Sequence, residues 1–314
     1  MGPSRPLLFR GTAPALVTPF DASGEIDEAA LRRLIDFNIG GSGGHAGVEA
    51  LVLLGTTGEN PTVTHDERQR LVDLALEHAA GRVPVIVGTG TNNTAQSAAF
   101  SREAADAGAD GLLVVGPYYN KPTPEGVRGH VSAIADATDC PIILYNVPGR
   151  TGSNLTAETT LMIAEAVPSV VGVKEASGDL NQVADLLAHR PDGLAVYSGD
   201  DDLTLPMLAL GADGLVSVIA NAVPGAVSEM VRLGLAGEFT AARGLHFALL
   251  DAMRASFHEA NPGPVKAVLA EMGLMENALR LPLAPLSDNA RGPVMEAYRP
   301  HMAPPVGAAQ PVAR

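Results

Sequence analysis

The sequence predicts a (β/α)₈ barrel, because eight short apolar runs alternate along the chain with segments of helical period. The runs are almost continuously apolar, which is typical of parallel strands buried on both faces. A short repeat supports regular βα units, since GADGL occurs at residues 108–112 and again at 211–215. Each copy closes a predicted helix and opens a predicted strand. A doubly wound open sheet is the less favoured alternative.

The order of the elements follows from the apolar runs and from helix start signals. Asp27, Thr64 and Thr156 each precede an amphipathic segment and are residue types that cap helix N termini. The glycine-rich segment 40–47 is expected to be a flexible loop at the barrel end opposite the strand C termini. The predicted strands cover residues 13–20, 48–55, 83–90, 111–117, 141–147, 170–176, 194–200 and 214–221.

The C-terminal part of the chain differs from the rest, because after residue 222 its pattern is purely helical. We therefore expect residues 1–222 to form the barrel and residues 223–300 to form a helical region packed on it. Residues 301–314 are rich in proline and alanine and are expected to be a disordered tail.

Composition excludes several classes of function. A formal net charge of −14 and a pI near 4.9 argue against binding to nucleic acid or to an anionic membrane surface. Cys140 is the only cysteine, and no apolar run is long enough to span a bilayer, so we expect a soluble cytoplasmic protein. The histidines lack ligand spacing and the glycine-rich segments lack nucleotide-binding patterns, so we expect no metal and no cofactor.

Reactive side chains collect at the C-terminal ends of the predicted strands, where barrels of this type place their active sites. Taken singly, each has an ordinary explanation, such as a glycine-rich turn, a tyrosine pair at an interface or a surface arginine. Their shared location favours a site. These residues are Thr56, Thr57, Tyr118, Tyr119, Tyr145, Arg150 and Lys174.

Lys174 is the most informative of them, because it is one of only three lysines and follows directly after the apolar residues VVGV in the segment VVGVKEASGD. Alternation along a strand would place it on the same face as Val170 and Gly172, where the glycine leaves room beside the amine. Desolvation there would lower its pKa and make it a nucleophile toward ketones and keto acids. The alternative is a lysine that reaches solvent at the rim or pairs with Glu175.

The motifs GTTGE, PYYNKP, YNVPGRTG, VGVKEASGD, SGDD, GLVSVIAN and NPGPVK occur in this order. Together they resemble the dihydrodipicolinate synthase/N-acetylneuraminate lyase family of class I aldolases, over roughly residues 10–299. The resemblance implies a TIM barrel, usually assembled as a homotetramer, whose lysine forms a Schiff base with pyruvate. That lysine would be Lys174.

The resemblance also implies roles for the other rim residues. Tyr145 would shuttle protons to and from the bound pyruvate, and Thr56 and Tyr119 would extend the relay, with Tyr119 reaching in from a neighbouring subunit. Thr57 would hold the pyruvate carboxylate. The backbone around Gly199 and Val216 would line the pyruvate pocket.

Arg150 decides the branch within the family, because it matches the arginine that binds the carboxylate of aspartate semialdehyde in the synthases. A guanidinium can hold a carboxylate through two parallel hydrogen bonds. The resemblance thus implies a lyase that condenses pyruvate with L-aspartate-4-semialdehyde in lysine and diaminopimelate biosynthesis. The alternatives are a pyruvate-dependent aldolase or dehydratase of sugar acids, and a catalytically silent paralogue that binds keto acids.

Feedback inhibition by lysine is expected to be weak or absent. Asn92, Gln96 and Tyr118 match positions of the family's allosteric lysine site, but Gln96 replaces a glutamate and Arg68 stands where a histidine is common. Without that carboxylate the effector's ammonium would lack a counter-charge. Strong inhibition by micromolar lysine in a steady-state assay would contradict this expectation.

Overall fold

The computed structural model describes residues 7–302, and in it one parallel eight-stranded sheet forms a barrel. Neighbouring strands pair in sequence order, and the last strand pairs with the first. The ring closes between the first two strands through a bridge between Ala15 and Val52. The predicted (β/α)₈ barrel is therefore confirmed. The strands, β1 to β8, are Gly11–Pro14, Leu51–Leu53, Val85–Gly88, Gly111–Val115, Ile142–Asn146, Val170–Glu175, Ala195–Ser198 and Gly214–Ser217.

Helices alternate with these strands, and the predicted start signals are confirmed. Asp27, Thr64 and Thr156 each accept a hydrogen bond from a backbone N–H in the first turn of the helix that follows. At Thr64 the cap is reciprocal, because Glu67 bonds back to the Thr64 backbone. The helices, α1 to α12, are Glu28–Gly40, His65–Ala79, Thr94–Asp106, Pro124–Ala135, Pro148–Thr151, Ala157–Ala166, Leu180–His189, Thr204–Leu210, Pro224–Leu235, Phe239–Ala255, Gly263–Glu271 and Asp288–Tyr298.

The predicted strand ends were wrong for the first and last strands. The first strand was predicted over residues 13–20, but β1 ends at Pro14. The last strand was predicted over residues 214–221, but β8 ends at Ser217. The following residues stay apolar because they are buried, as Leu16 and Phe20 are. Apolar character therefore continues beyond the hydrogen-bonded ladder and does not mark where a strand stops.

Two separate apolar cores lie on the two faces of the sheet, because successive side chains along a strand point to opposite faces. Residues such as Val85, Val87 and Leu144 pack outward against the helices. Their neighbours point into the barrel and form the interior cluster, which consists of Phe9, Ala13, Ala15, Ala50, Val52, Ile86, Leu113, Ile143, Tyr145, Val147, Ala195, Tyr197 and Val216.

The GADGL repeat has the same structure at both places. Gly108 and Gly211 follow α3 and α8 with φ of +98° and +106°, a region that favours glycine. Asp110 then accepts a hydrogen bond from the first backbone N–H of β3, and Asp213 accepts one from Val196 in β7. The repeat is thus a structural unit that ends a helix and fastens the adjoining strand.

The C-terminal region is helical, as predicted. Its first helix, α9, packs against β1, α1 and α8 and so completes the ring of helices around the barrel, although it lies beyond residue 222. The division into 1–222 and 223–300 stays a prediction. Of the predicted tail, residues 303–314 lie outside the described residues. Among the helices of residues 7–302, none combines the length and the apolar character needed to cross a membrane.

The glycine-rich segment connects α1 to β2, at the barrel end opposite the strand C termini. A bridge between Ser42 and His45 closes a turn within it. Arg232 of α9 donates a hydrogen bond to the Ala46 carbonyl and thereby ties this loop to the last barrel helix. Flexibility of the loop stays a prediction.

Among the ion pairs that join the C-terminal region to the barrel, two reach the segment from the end of β2 to the end of α2. Arg280 donates to the Glu67 carboxylate at 2.8 Å and lies over the ring of Phe20. Lys266 of α11 pairs with Glu59, and neither side chain is exposed. Burial lowers the pKa of Lys266 to about 8, against the opposing effect of Glu59.

We expect Glu67→Gln to destabilise the fold in a pH-dependent way. The hydrogen bond from Arg280 is the largest cause that lowers the pKa of Glu67 from 4.5 to about 2. A lowered folded-state pKa contributes stability that is complete above the unfolded value and is lost as pH falls toward the folded value. Thermal unfolding should show a variant that is less stable at pH 7 by about 1–3 kcal/mol, with a deficit that shrinks between pH 5 and pH 3.

A suitable control is Glu271→Gln, which removes an exposed carboxylate that pairs with Arg291. Its unfolding temperature should match that of the native protein at every pH, because exposed ion pairs contribute little. A deficit for Glu67→Gln that stayed constant from pH 7 to pH 3 would contradict the assigned role.

Candidate active site

Lys174 and Tyr145 form the centre of the candidate site. They lie directly opposite each other on the neighbouring strands β6 and β5, near the C-terminal ends of both. Lys174 Nζ lies 4.2 Å from the centroid of the Tyr145 ring. Both side chains are buried, with 5% and 6% of their surface exposed. The amine and the phenol are therefore close together in the barrel interior.

One prediction about β6 was wrong, because Val170 does not share a face with Lys174. Val170 packs in the outer core, against the helices. The pairing register shifts between Ile142 and Ile143, so that Ile143 lies opposite Gly172 rather than Val171. Val171 is therefore an extra, unpaired residue that forms a β-bulge. Because of it, Val170 points to the face opposite the one that simple alternation predicts.

Two glycines leave space in this part of the barrel, Gly172 beside Tyr197 and Gly199 beside Lys174. A Cβ atom at Gly172 would lie 3.2 Å from the Tyr197 ring, and a Cβ at Gly199 would lie 3.0 Å from Lys174 Cε. Because Lys174 is buried, it does not reach solvent at the rim, which was the alternative. Pairing with Glu175 is not observed either, since that carboxylate accepts hydrogen bonds from Asn146, Gln182 and the Ser177 backbone.

Two carboxylates follow β7 and were not singled out by sequence reasoning, although both stand in the SGDD motif. Burial raises the pKa of Asp200 to about 6, and nearby Lys174 opposes this shift. Burial also raises the pKa of Asp201, which accepts hydrogen bonds from Ser217 Oγ and the Val218 backbone. Asp201 thus fixes the end of β8 next to Val216, which lies in the barrel interior.

The GTTGE loop after β2 is held by contacts from distant parts of the chain. Thr57 is buried, and its Oγ1 accepts a hydrogen bond from Asn261 Nδ2 at 2.9 Å. Thr18 Oγ1 donates to the Gly58 carbonyl at 2.7 Å. The role of Asn261 was missed because only the fold brings it to Thr57, 204 residues away in the chain.

A cavity of about 410 Å³ opens beside this centre. Its wall includes Thr56, Tyr118, Tyr145, Arg150 and Gln96. Arg150 lies on the short helix α5, where it is exposed, and no carboxylate of residues 7–302 lies within ion-pair distance of it. The cavity thus joins a phenol, a hydroxyl and an unpaired guanidinium, which together suit a substrate that carries a carboxylate.

Apart from Arg68, the other predicted residues lie outside the wall of this cavity. Lys174, Thr57 and Val216 are buried deeper, between 0% and 5% exposed, and Gly199 lies against Lys174. Tyr119 is 88% exposed and adopts a φ of +69°, which is rare for a residue other than glycine. Asn92 accepts a hydrogen bond from Asn120 through its backbone oxygen. Arg68 lines the cavity, where its guanidinium contacts Asn60 and the Phe100 ring.

Metal binding has no visible basis in the described part of the chain. Within residues 7–302, no three His, Cys, Asp or Glu side chains come together in a way that could hold an ion.

Two similar proteins carry the same name. A 4-hydroxy-tetrahydrodipicolinate synthase of Salinibacter ruber is 62% identical over 290 residues, which are 92% of this chain and 94% of the relative. The protein of that name from Koribacter versatilis is 48% identical over 284 residues, 90% of this chain and 93% of the relative.

Solved structures agree with these relatives. The crystal structure of dihydrodipicolinate synthase from Thermotoga maritima has a TM-score of 0.90 and 43% identity, and the match covers 94% of this chain and 99% of that one. A monomeric dihydrodipicolinate synthase variant has a TM-score of 0.89 and 43% identity, with 93% and 96% covered. A sequence model of the Dihydrodipicolinate synthetase family matches residues 8–299. The chain therefore belongs to the dihydrodipicolinate synthetase family.

Proposed function

We propose that this chain is a 4-hydroxy-tetrahydrodipicolinate synthase, a lyase that condenses pyruvate with L-aspartate-4-semialdehyde in lysine biosynthesis. The observation that carries the proposal is the pair of Lys174 and Tyr145, with Nζ 4.2 Å from the ring and the cavity beside it. The shared name of the close relatives supports the substrates.

The first half of the reaction takes place on Lys174. Its amine adds to the ketone carbon of pyruvate, and the resulting carbinolamine loses the ketone oxygen as water to give an iminium ion. Tyr145 supplies and removes the protons that these steps need, since a phenol can both donate and accept. Thr57 holds the pyruvate carboxylate. Loss of a proton from the methyl group then gives an enamine.

In the second half, the enamine carbon attacks the aldehyde carbon of the semialdehyde, and the aldehyde oxygen takes up a proton to become the 4-hydroxyl group. The amine of the semialdehyde then displaces Lys174 from the iminium carbon. This closes the ring and regenerates the free lysine, so that the only molecule released besides the product is the water lost in the first half. Thr56 and Tyr119 carry protons between Tyr145 and solvent.

Arg150 determines the second substrate in this proposal. It is exposed at the cavity without a carboxylate partner, so it can bind the α-carboxylate of the semialdehyde. The substrate of a sugar-acid aldolase would present hydroxyl groups to Arg150, and no observation favours that alternative. A silent keto-acid-binding paralogue is disfavoured by the presence of Lys174, Tyr145 and Thr56 together.

Trapping with borohydride tests the proposed chemistry directly. Incubation with pyruvate and borohydride should give one reduced pyruvate adduct per chain, and peptide mass spectrometry should locate it on Lys174. Lys174→Ala should form none. Lys121 is exposed and provides an internal control for non-specific labelling. An adduct that persisted in Lys174→Ala would sink the mechanism.

Arg150→Ala should raise the KM for the semialdehyde by about 10²-fold, because a charge-assisted pair of hydrogen bonds is lost. The KM for pyruvate should change much less, and Arg150→Lys should restore only part of the loss, since an ammonium cannot form the bidentate pair. Steady-state kinetics with each substrate varied in turn measures both constants. Equal increases in both would show that Arg150 is not specific to the second substrate.

We also propose that the chain assembles as a homotetramer in which Tyr119 completes the site of a neighbouring subunit. Its side chain is 88% exposed in the single chain, far more than Tyr145. The backbone of Tyr119 holds a positive φ, so the ring is presented outward at a conformational cost. One similar structure is of a monomeric variant, so the oligomeric state has to be measured.

Mixing two inactive variants tests whether Tyr119 acts in another subunit. Lys174→Ala and Tyr119→Phe should each be nearly inactive alone. Co-expressed hybrids should regain about a quarter of native activity, because half of randomly paired dimers are hybrids and each hybrid has one complete site. If Tyr119 acted within its own chain, the mixture would be no more active than its parts.

A further inference from the structure

We infer that the buried ion pair between Glu59 and Lys266 is a positioning device that sets the GTTGE loop for pyruvate binding. Glu59 ends this loop, and Lys266 lies on α11, 207 residues later in the chain. The inference rests on the proposed function, because it assigns the loop residue Thr57 to the pyruvate carboxylate.

The pair is enclosed on every side by groups that the fold supplies. Lys266 Nζ also donates to the Ala278 carbonyl at 2.8 Å and lies 4.5 Å from the centroid of the Phe20 ring. The second carboxylate oxygen of Glu59 accepts a hydrogen bond from the Arg280 backbone at 3.1 Å. Each charge therefore has a defined set of partners, and neither can move without leaving a buried group unpaired.

Glu59 also controls the backbone of the loop. Its φ is +52°, a left-handed conformation that glycine adopts without steric cost and that strains a glutamate. In that conformation its N–H donates to the Thr56 carbonyl, and its own carbonyl accepts from Thr62. A strained position that carries a long acidic side chain indicates that the carboxylate is needed there.

The second contact from the same segment points to the same loop. Asn261, five positions before Lys266, donates to Thr57 Oγ1 at 2.9 Å. The NPGPVK motif therefore grips the GTTGE loop at Thr57 and again at Glu59. This double contact explains why α11, which lies outside the barrel ring, carries one of only three lysines of the chain.

A positioning role and a purely structural role predict different results for three variants. Lys266→Met removes the ammonium and leaves a buried, uncompensated carboxylate. Glu59→Gln removes the other charge but keeps an oxygen acceptor for the Arg280 backbone. The double variant removes both charges, so its buried charge penalty disappears while the loop still lacks the ionic contact. Arg291→Gln is the control, because it breaks an exposed ion pair of the same region.

Two quantities are measured on each protein: the thermal unfolding midpoint, and the pyruvate concentration that gives half-maximal borohydride-trapped adduct on Lys174. Lys266→Met should lower the midpoint and raise the half-saturating concentration about tenfold or more, since small displacements of a binding group are costly. In the double variant the midpoint should recover in part, and the half-saturating concentration should stay raised. Arg291→Gln should change neither.

Two results would overturn the inference. One is native half-saturation in both single variants. The other is half-saturation that recovers together with the midpoint in the double variant, which would mean that the pair only stabilises the fold. If Lys266→Met does not fold, Glu59→Gln and the double variant carry the comparison. Failure of native protein to form any adduct would overturn the proposed function as well, so the two failures are distinguishable.

Discussion

Side chains must pack the interior of the barrel, and the rest of the structure depends on the place where this packing leaves a gap. At the N-terminal end Phe9 and Tyr197 stack with ring centroids 4.2 Å apart, and the Tyr197 hydroxyl donates to the Phe9 carbonyl. Toward the other end, Gly199 leaves out the side chain that would otherwise lie against Lys174 Cε. Lys174 occupies the space that results. Lys174 is therefore buried among packed side chains, and it has room because Gly199 carries no side chain.

Some residues of the candidate site, such as Thr56, Thr57 and Arg150, lie on the segments that follow the strands, and buried polar contacts hold these segments in place. Asp201 bonds to the end of β8, and Asn261 and Lys266 bond to the GTTGE loop. Glu175 accepts hydrogen bonds from Asn146 at the end of β5 and from Gln182. Such contacts add little net stability when intact, but removing one partner of a buried ion pair typically costs about 3–5 kcal/mol. The C-terminal helices thus support the site as well as the fold.

The sequence allowed the barrel, the helix caps and the proximity of Lys174 and Tyr145 near the strand ends to be predicted, because these follow from local patterns. Strand ends at Pro14 and Ser217 could not be found, since buried loops are as apolar as strands. Val170 was assigned to the wrong face because a bulge depends on the partner strand, which periodicity within one strand does not include. The contact between Glu59 and Lys266 joins positions 207 residues apart, and only the closed barrel brings them together.

The two GADGL segments have a consequence for the symmetry of the molecule. They open β4 and β8, which are four strands apart and therefore diametrically opposite in an eight-membered ring. In both places an aspartate accepts a hydrogen bond from the neighbouring strand, so these two segments have a local pseudo-twofold relation. The rim does not share it, since Lys174, Tyr145 and Arg150 have no counterparts half a turn away. Each half of the chain thus contributes four strands and one such aspartate, whereas the candidate site lies on the second half's strands β5 and β6.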